Sequence, residues 1–227
     1  MANEQSPPES TVELAACLKA AYAVRSPDDN RQLYAKWAAT YDQFLEANRY
    51  IAARLVAEIF SERWSPRGGA VLDAGCGTGR VGLELCRLGV APIDGIDISP
   101  EMLARARSLS RPDGESVYRG LIVADLTGAI DLESDSYSGV LSCGAFTHGH
   151  LGPEALSELL RVAQPGSAGV IAVNSAIFET QGFGDRFERY AADGVIEGLE
   201  VMLCQGWEGA DGSEPSHMAQ VAAFTVA

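Results

Sequence analysis

The sequence predicts an α/β protein built on a doubly wound parallel sheet, and three observations carry that expectation. Apolar runs of strand length alternate with stretches of helical periodicity from Tyr50 to Ala192. At the head of this series, Val71-Leu72 runs into Asp73-Ala74-Gly75-Cys76-Gly77-Thr78-Gly79. Arg80 to Leu88 then places Val81, Leu85 and Leu88 on one helical face, which makes a strand, a glycine turn and a helix. Lastly, Asp73, Asp97, Asp125 and the residues after Cys143 all fall at the carboxyl ends of successive strands. That is the edge where open α/β sheets bind ligands.

In chain order, residues 1–10 are rich in Pro, Ser, Glu and Asn and read as a flexible tail. The remainder, 11–227, reads as one domain, with a helical region over 11–66 and a core over 67–227. Thr11 to Val24 carries an apolar stripe of Val12, Leu14, Ala15, Leu18 and Ala21. Ser26-Pro27-Asp28-Asp29 is a turn able to cap a second helix. In Tyr34-Ala-Lys-Trp-Ala-Ala-Thr-Tyr-Asp42, a helix would bring Tyr34, Trp37 and Tyr41 to one side. Tyr50 to Phe60 reads as the helix leading into the sheet, closed by Ser65-Pro66-Arg67-Gly68-Gly69.

The second strand is Ala91 to Ile98, and Ser99-Pro100 starts the next helix as cap and first residue. Gly120 to Leu126 is the third strand, and Asp135 to Phe146 contains the fourth. Pro153 to Ala163 is an amphipathic helix closed by Gln164-Pro165-Gly166-Ser167. Gly169 to Asn174 is nearly all apolar, as a central parallel strand should be. Beyond it the pattern loosens, with a helix at Asp185–Ala192, a strand at Val201–Leu203 and a last strand at Val221–Val226.

Two nucleotides compete for the glycine turn. Gly77-Thr-Gly-Arg-Val-Gly82 fits the spacing G-x-G-x-x-G, with Asp97 twenty residues past Gly77, as in NAD-dependent oxidoreductases. Asp73, two residues before the first glycine, argues against a pyrophosphate and for a ligand with a cationic group. Val71 to Gly79 resembles motif I of the class I S-adenosylmethionine-dependent methyltransferases, and Gly95-Ile-Asp-Ile-Ser-Pro-Glu-Met-Leu103 is similar to motif II. The resemblance covers roughly residues 34–227. It implies a Rossmann-like seven-stranded sheet with helices on both faces, its last strand inserted antiparallel between two parallel ones.

The resemblance also implies a site. Asp73, Gly75, Cys76 and Gly77 would form the cofactor loop. Asp97 would accept from the ribose hydroxyls, and Ile98, with Met102 nearby, would pack on adenine. Asp125 and the Leu126 amide would meet the adenine edge, and the chain after Leu141, including Cys143, would pass beneath the methionine part. The Trp37-x-x-x-Tyr41-Asp42 segment resembles a family lid over cofactor and substrate. That assigns Tyr41 to the cofactor and the transferred methyl, and Tyr34 to the substrate. S-adenosylhomocysteine would be the product.

If the nucleophile carries a proton, Thr147-His148-Gly149-His150 supplies the candidate bases, His148 first and His150 second, both facing the substrate. This loop and the lid resemble Williams–Beuren-region methyltransferase-like proteins, a subgroup that names no acceptor. Phe178, Phe183, Phe187 and Trp207 are either core or an apolar substrate wall. His217 is expected to be structural. Binding of the cofactor without methyl transfer stays open as a further reading.

Composition sets the remaining bounds. The 227 residues are 47% hydrophobic and 21% charged, as in ordinary globular proteins, with a net charge of −14. Such an acidic chain disfavours nucleic acid and anionic membranes and leans toward a small neutral or cationic acceptor. The five cysteines are scattered without C-x-x-C, as expected of free thiols in a cytoplasmic protein, and no ligand spacing points to a metal. No apolar run reaches the length of a signal peptide core or the roughly 18 residues of a membrane span. Monomer and homodimer are both open.

Overall fold

A computed structural model describes Ala21 and residues 24–66 and 68–227. The tail over 1–10, and all of the helix expected over Thr11–Val24 except Ala21 and Val24, lie outside the described residues.

Seven strands form one sheet: β1 (Ala70–Ala74), β2 (Ile93–Asp97), β3 (Gly120–Val123), β4 (Tyr137–Phe146), β5 (Ala163–Asn174), β6 (Ile196–Gln205) and β7 (Met218–Val226). Their order is β3-β2-β1-β4-β5-β7-β6. The pairs from β3 through β5 are parallel, and β7 runs antiparallel to both β5 and β6. The order reverses between β1 and β4, which makes a switch point directly beyond the glycine turn.

The helices are α1 (Pro27–Trp37), α2 (Tyr41–Ala47), α3 (Ala52–Arg63), α4 (Arg80–Arg87), α5 (Pro100–Arg107), α6 (Leu156–Val162), the single turn α7 (Ser175–Phe178) and α8 (Phe183–Ala192). Strand alternation divides the core between the two faces of the sheet. Val71, Val170, Ala172, Val221 and Ala223 meet Val56, Ala57 and Phe60 of α3 and Val81 and Leu85 of α4. Leu72, Ile171, Val173, Ala222 and Phe224 meet Leu156 and Leu159 of α6 and Phe183 and Phe187 of α8. Phe178 belongs to the same second cluster. The three phenylalanines are therefore core, not substrate wall.

Several boundaries differ from the sequence expectation, four of them informatively. β3 ends at Val123, the partner of the last β2 residue Asp97, because an edge strand stops where its single neighbour stops. Gln164 to Ser167 extend β5 toward Tyr137 through an irregular register with Gly166 at φ +76°, where a helix-closing turn was expected. The helix expected through Tyr34–Asp42 breaks at residues 38–40, where Arg105 Nη2 donates to the Ala39 carbonyl at 3.1 Å. The strand expected at Val201–Leu203 is the centre of the longer edge strand β6.

Candidate active site

The site grows from the end of β1. Gly75 and Cys76 both donate their backbone N–H to the Ile96 carbonyl, at 2.8 and 3.0 Å, which curls the loop over the end of β2. Gly75 has φ +71°, and a Cβ there would lie 2.5 Å from Ala145 Cβ, so only glycine lets the β1 and β4 ends come this close. Gly77 continues the turn with open space on its side-chain face.

Asp97 closes the loop from β2. One oxygen accepts the Gly77 N–H at 2.8 Å and the other the Ser99 N–H at 2.9 Å. Burial raises its pKa against these amides. Each carboxylate oxygen keeps a second acceptor direction. Ser99 caps α5 by accepting from the Met102 N–H at 3.2 Å, which sets Met102 on the first turn.

A cavity of about 710 Å³, part of it open to solvent, opens at this point. Gly75, Gly77 and Asp97 form one side, and Ile98, Met102 and Leu126 an apolar slot beside them. Asp125 stands at the rim, with one oxygen engaged by the Thr127 N–H and hydroxyl at 2.8 and 2.7 Å. Tyr34 and Tyr41 come from α1 and α2, and Cys143 from β4. No lysine or arginine lines the cavity among the described residues.

Tyr34, Trp37 and Tyr41 still cluster across the broken helix, with ring centroids 5.0 to 5.9 Å apart. Burial, with smaller contributions from Cys143 and Asp97, holds the Tyr41 phenol well above its ordinary pKa. The Cys143 thiol is pushed up to about 12 by burial and lies 3.4 Å from the Tyr50 hydroxyl.

Three expected site residues stand elsewhere. Asp73 is fully buried and does not reach the cavity, because strand alternation turns its side chain to the α4 face. There it accepts from the Tyr118 hydroxyl at 2.7 Å, and burial raises its pKa to about 7. Gly82 makes room for this contact: a Cβ at Gly82 would overlap the Tyr118 ring and hydroxyl. The last glycine of the dinucleotide-like spacing thus serves packing. Cys76 turns its sulfur under Gly95, with the thiol 4.0 Å from the Gly77 carbonyl, and does not line the cavity.

His148 lines neither this cavity nor its neighbour. Its carbonyl instead lies 2.7 Å from His150 Nδ1. A carbonyl only accepts, so Nδ1 carries the proton and Nε2 keeps its lone pair. His150 lines the cavity against the Tyr34 ring, and its buried Nε2 has no partner among the described residues. Burial lowers its pKa, with the bond to the His148 carbonyl opposing.

Other contributors escaped sequence reasoning. Thr78 Oγ1 donates to Asp42 at 2.7 Å, and Arg80 reaches Asp42 at 3.6 Å and Glu46 at 3.2 Å, so the glycine loop is tied to α2. The Tyr-Asp pair at 41–42 was visible in the sequence, but its partner was not. Asn30, whose buried Oδ1 lacks a partner among the described residues, also lines the cavity, and nothing in the sequence singled it out. A second cavity of about 720 Å³, part of it open to solvent, shares Tyr34, Tyr41, Cys143 and Gly144 with the first.

A methyltransferase-domain family profile matches residues 71–166. Methyltransferase-like protein 27 of Homo sapiens is 31% identical over 161 residues, which cover 69% of this chain and 62% of that protein. Malonyl-[acyl-carrier protein] O-methyltransferase of Pectobacterium atrosepticum is 32% identical over 185 residues, covering 81% of this chain and 59% of that one. The chain thus spans about three fifths of the length of these curated relatives. Among solved structures, a Haemonchus contortus N-methyltransferase in complex with phosphomonomethylethanolamine and S-adenosylhomocysteine superposes with a TM-score of 0.63. It is 16% identical, with 89% of this chain and 59% of that one covered, a likeness of fold. Sheet order, glycine loop and sequence relatives agree on one assignment: the chain belongs to the class I S-adenosylmethionine-dependent methyltransferase family.

Proposed function

We propose that the protein binds S-adenosylmethionine in the first cavity and transfers its methyl group to a small-molecule acceptor. The carrying observation is Asp97, held at the end of β2 by the Gly77 and Ser99 amides beside the slot of Ile98, Met102 and Leu126. The residues fit this cofactor. Asp97 has acceptor directions for vicinal hydroxyls, the slot suits a flat base, and Gly77 leaves its face clear. Two acids and no cation on the walls suit a positively charged ligand and not a pyrophosphate, which sets aside the oxidoreductase reading.

When bound, the cofactor supplies a methyl group on a cationic sulfur. The chain's own part is to orient the acceptor, exclude water and take a proton where the nucleophile carries one. Tyr34 and Tyr41 cover the site from α1 and α2, as a lid would. Nε2 of His150 is the proton acceptor supported by geometry, in place of His148. The unpaired thiols Cys76, Cys86, Cys143 and Cys204 accord with work in a reducing cytoplasm.

Calorimetric titration with S-adenosylmethionine, S-adenosylhomocysteine and NAD tests the cofactor. Both sulfur compounds should bind and NAD should not; binding of NAD alone would make the protein an oxidoreductase. Once an acceptor is found with labelled methyl donor, His150→Gln should keep S-adenosylhomocysteine affinity and lose roughly 10²–10⁴-fold in turnover. Unchanged turnover would remove His150 as the base.

A further inference from the structure

The second cavity has a composition unlike the first. Its walls carry no Asp, Glu, Lys or Arg among the described residues. Aromatic rings form a continuous wall instead: Trp37 stands 4.9 Å from Phe44, Phe44 6.2 Å from Trp207, and Trp207 4.8 Å from Tyr50, centroid to centroid. Thr147 is on the same wall, with a buried hydroxyl that has no partner among the described residues. Tyr34, Tyr41, Cys143 and Gly144 belong to both cavities, so the two chambers meet at the end of β4.

We propose that this second chamber receives the acceptor, and that the acceptor is an uncharged, ring-bearing hydroxyl compound of the phenol class. The proposal rests on the methyl-transfer reading. An ammonium entering the chamber would lose its hydration with no carboxylate to meet it, and an anion would find no lysine or arginine, whereas a ring gains stacking and edge contacts with the aromatic wall. Burial holds the Tyr41 and Tyr50 phenols and the Cys143 thiol protonated, so none of the three puts a negative charge on the wall, where the His217 imidazole also stands beside Trp207.

Aromatic faces alone attract soft cations. A protonated amine, however, has no lone pair to accept a methyl group, so that attraction would favour the unreactive form. Anions are further opposed by the net charge of −14. The unpartnered Thr147 hydroxyl offers the hydrogen bond that a phenolic oxygen requires. In the reaction, an oxygen lone pair forms the new C–O bond, the methyl–sulfur bond breaks with its electrons staying on sulfur, and the hydroxyl proton leaves toward Nε2 of His150, which lines the first cavity against the shared Tyr34 ring.

Three probes of one shape separate the possibilities: 2-naphthol, 2-naphthoate and 2-naphthylmethylammonium, each titrated into the full chain with and without saturating S-adenosylhomocysteine. The naphthol should bind at least about ten-fold tighter than either ion. Thr147→Asp, which places a carboxylate on the chamber wall, should shift the preference to the ammonium while S-adenosylhomocysteine still binds. Equal or tighter binding of either ion to the unmodified protein would overturn the proposal, and that ranking decides alone if the variant does not fold. An unshifted preference in a folded variant would overturn it too. Failure of S-adenosylhomocysteine to bind would instead sink the methyl-transfer reading, while the naphthol ranking without it still judges the chamber.

Discussion

At the scale of single residues, Asp73 and Asp97 show how two strand-end carboxylates in one sheet take different work. Asp73 meets a tyrosine hydroxyl under α4, and burial raises its pKa from the ordinary carboxylate range to about 7. A raised folded-state pKa means that the folded protein holds the proton more tightly. The Asp73 contribution to stability is therefore most favourable below about pH 4, declines as pH rises toward 7, and levels off above it. Asp73→Asn removes this dependence. In urea unfolding, the stability gap between pH 4.5 and pH 8 should be smaller in the variant; an identical gap would show that Asp73 does not titrate there. Asp97 accepts from two backbone amides at the cavity wall. Asp97→Ala should weaken S-adenosylhomocysteine binding by about 1.5–3 kcal/mol, the worth of hydrogen bonds to a charged acceptor. Unchanged affinity in a folded variant would remove Asp97 from the cofactor site.

Between elements, the covering helices are tied to the sheet by a few polar contacts. Thr78 and Arg80 hold Asp42 at the start of α2, and Arg105 holds the Ala39 carbonyl between α1 and α2. No α1 residue is fully buried, and α2 buries Leu45, so α1 leans on these links and on its aromatic contacts. Asp42→Ala should speed amide hydrogen exchange across residues 27–47 and leave β1 and β4 unchanged. Exchange that rises uniformly would show that the latch supports the whole domain rather than the covering helices. The loop after β4 meets the same region from the other side, where a Cβ at Gly149 would overlap the Val24 carbonyl.

For the whole molecule, charge is the dominant long-range term. A net charge of −14 on 227 residues repels itself at low salt. The pairs Arg31–Asp28, Arg49–Glu208 and Arg54–Glu58 are exposed at both ends and contribute little, whereas Arg119 pairs with the buried Asp94. Raising the ionic strength from about 0.01 M to 0.15 M shortens the screening length from about 30 to 8 Å. The melting temperature should rise by about 2–4 °C if relief of repulsion is worth around 1 kcal/mol. A fall would mean that attractive pairs outweigh the excess negative charge.

The sequence by itself determined the doubly wound sheet, the glycine loop at its switch point and the position of Asp97 at the end of β2. Apolar runs of strand length, glycine spacing and a Ser-Pro helix start are short-range signals, complete within a few residues. Only the tertiary structure decided which polar side chains line the cavity. Asp73 and Asp97 look alike in the sequence, yet Asp73 is claimed by Tyr118, 45 residues away. His148 and His150 differ by two positions, and the turn at Gly149 together with the His148 carbonyl selects His150. The aromatic chamber draws Trp37, Phe44, Tyr50 and Trp207 from opposite ends of the chain, joined where Tyr50 pairs with Trp207 beyond β6. Periodicity tells which way a side chain leaves its own element. What waits there is set by residues that only the closed fold brings near.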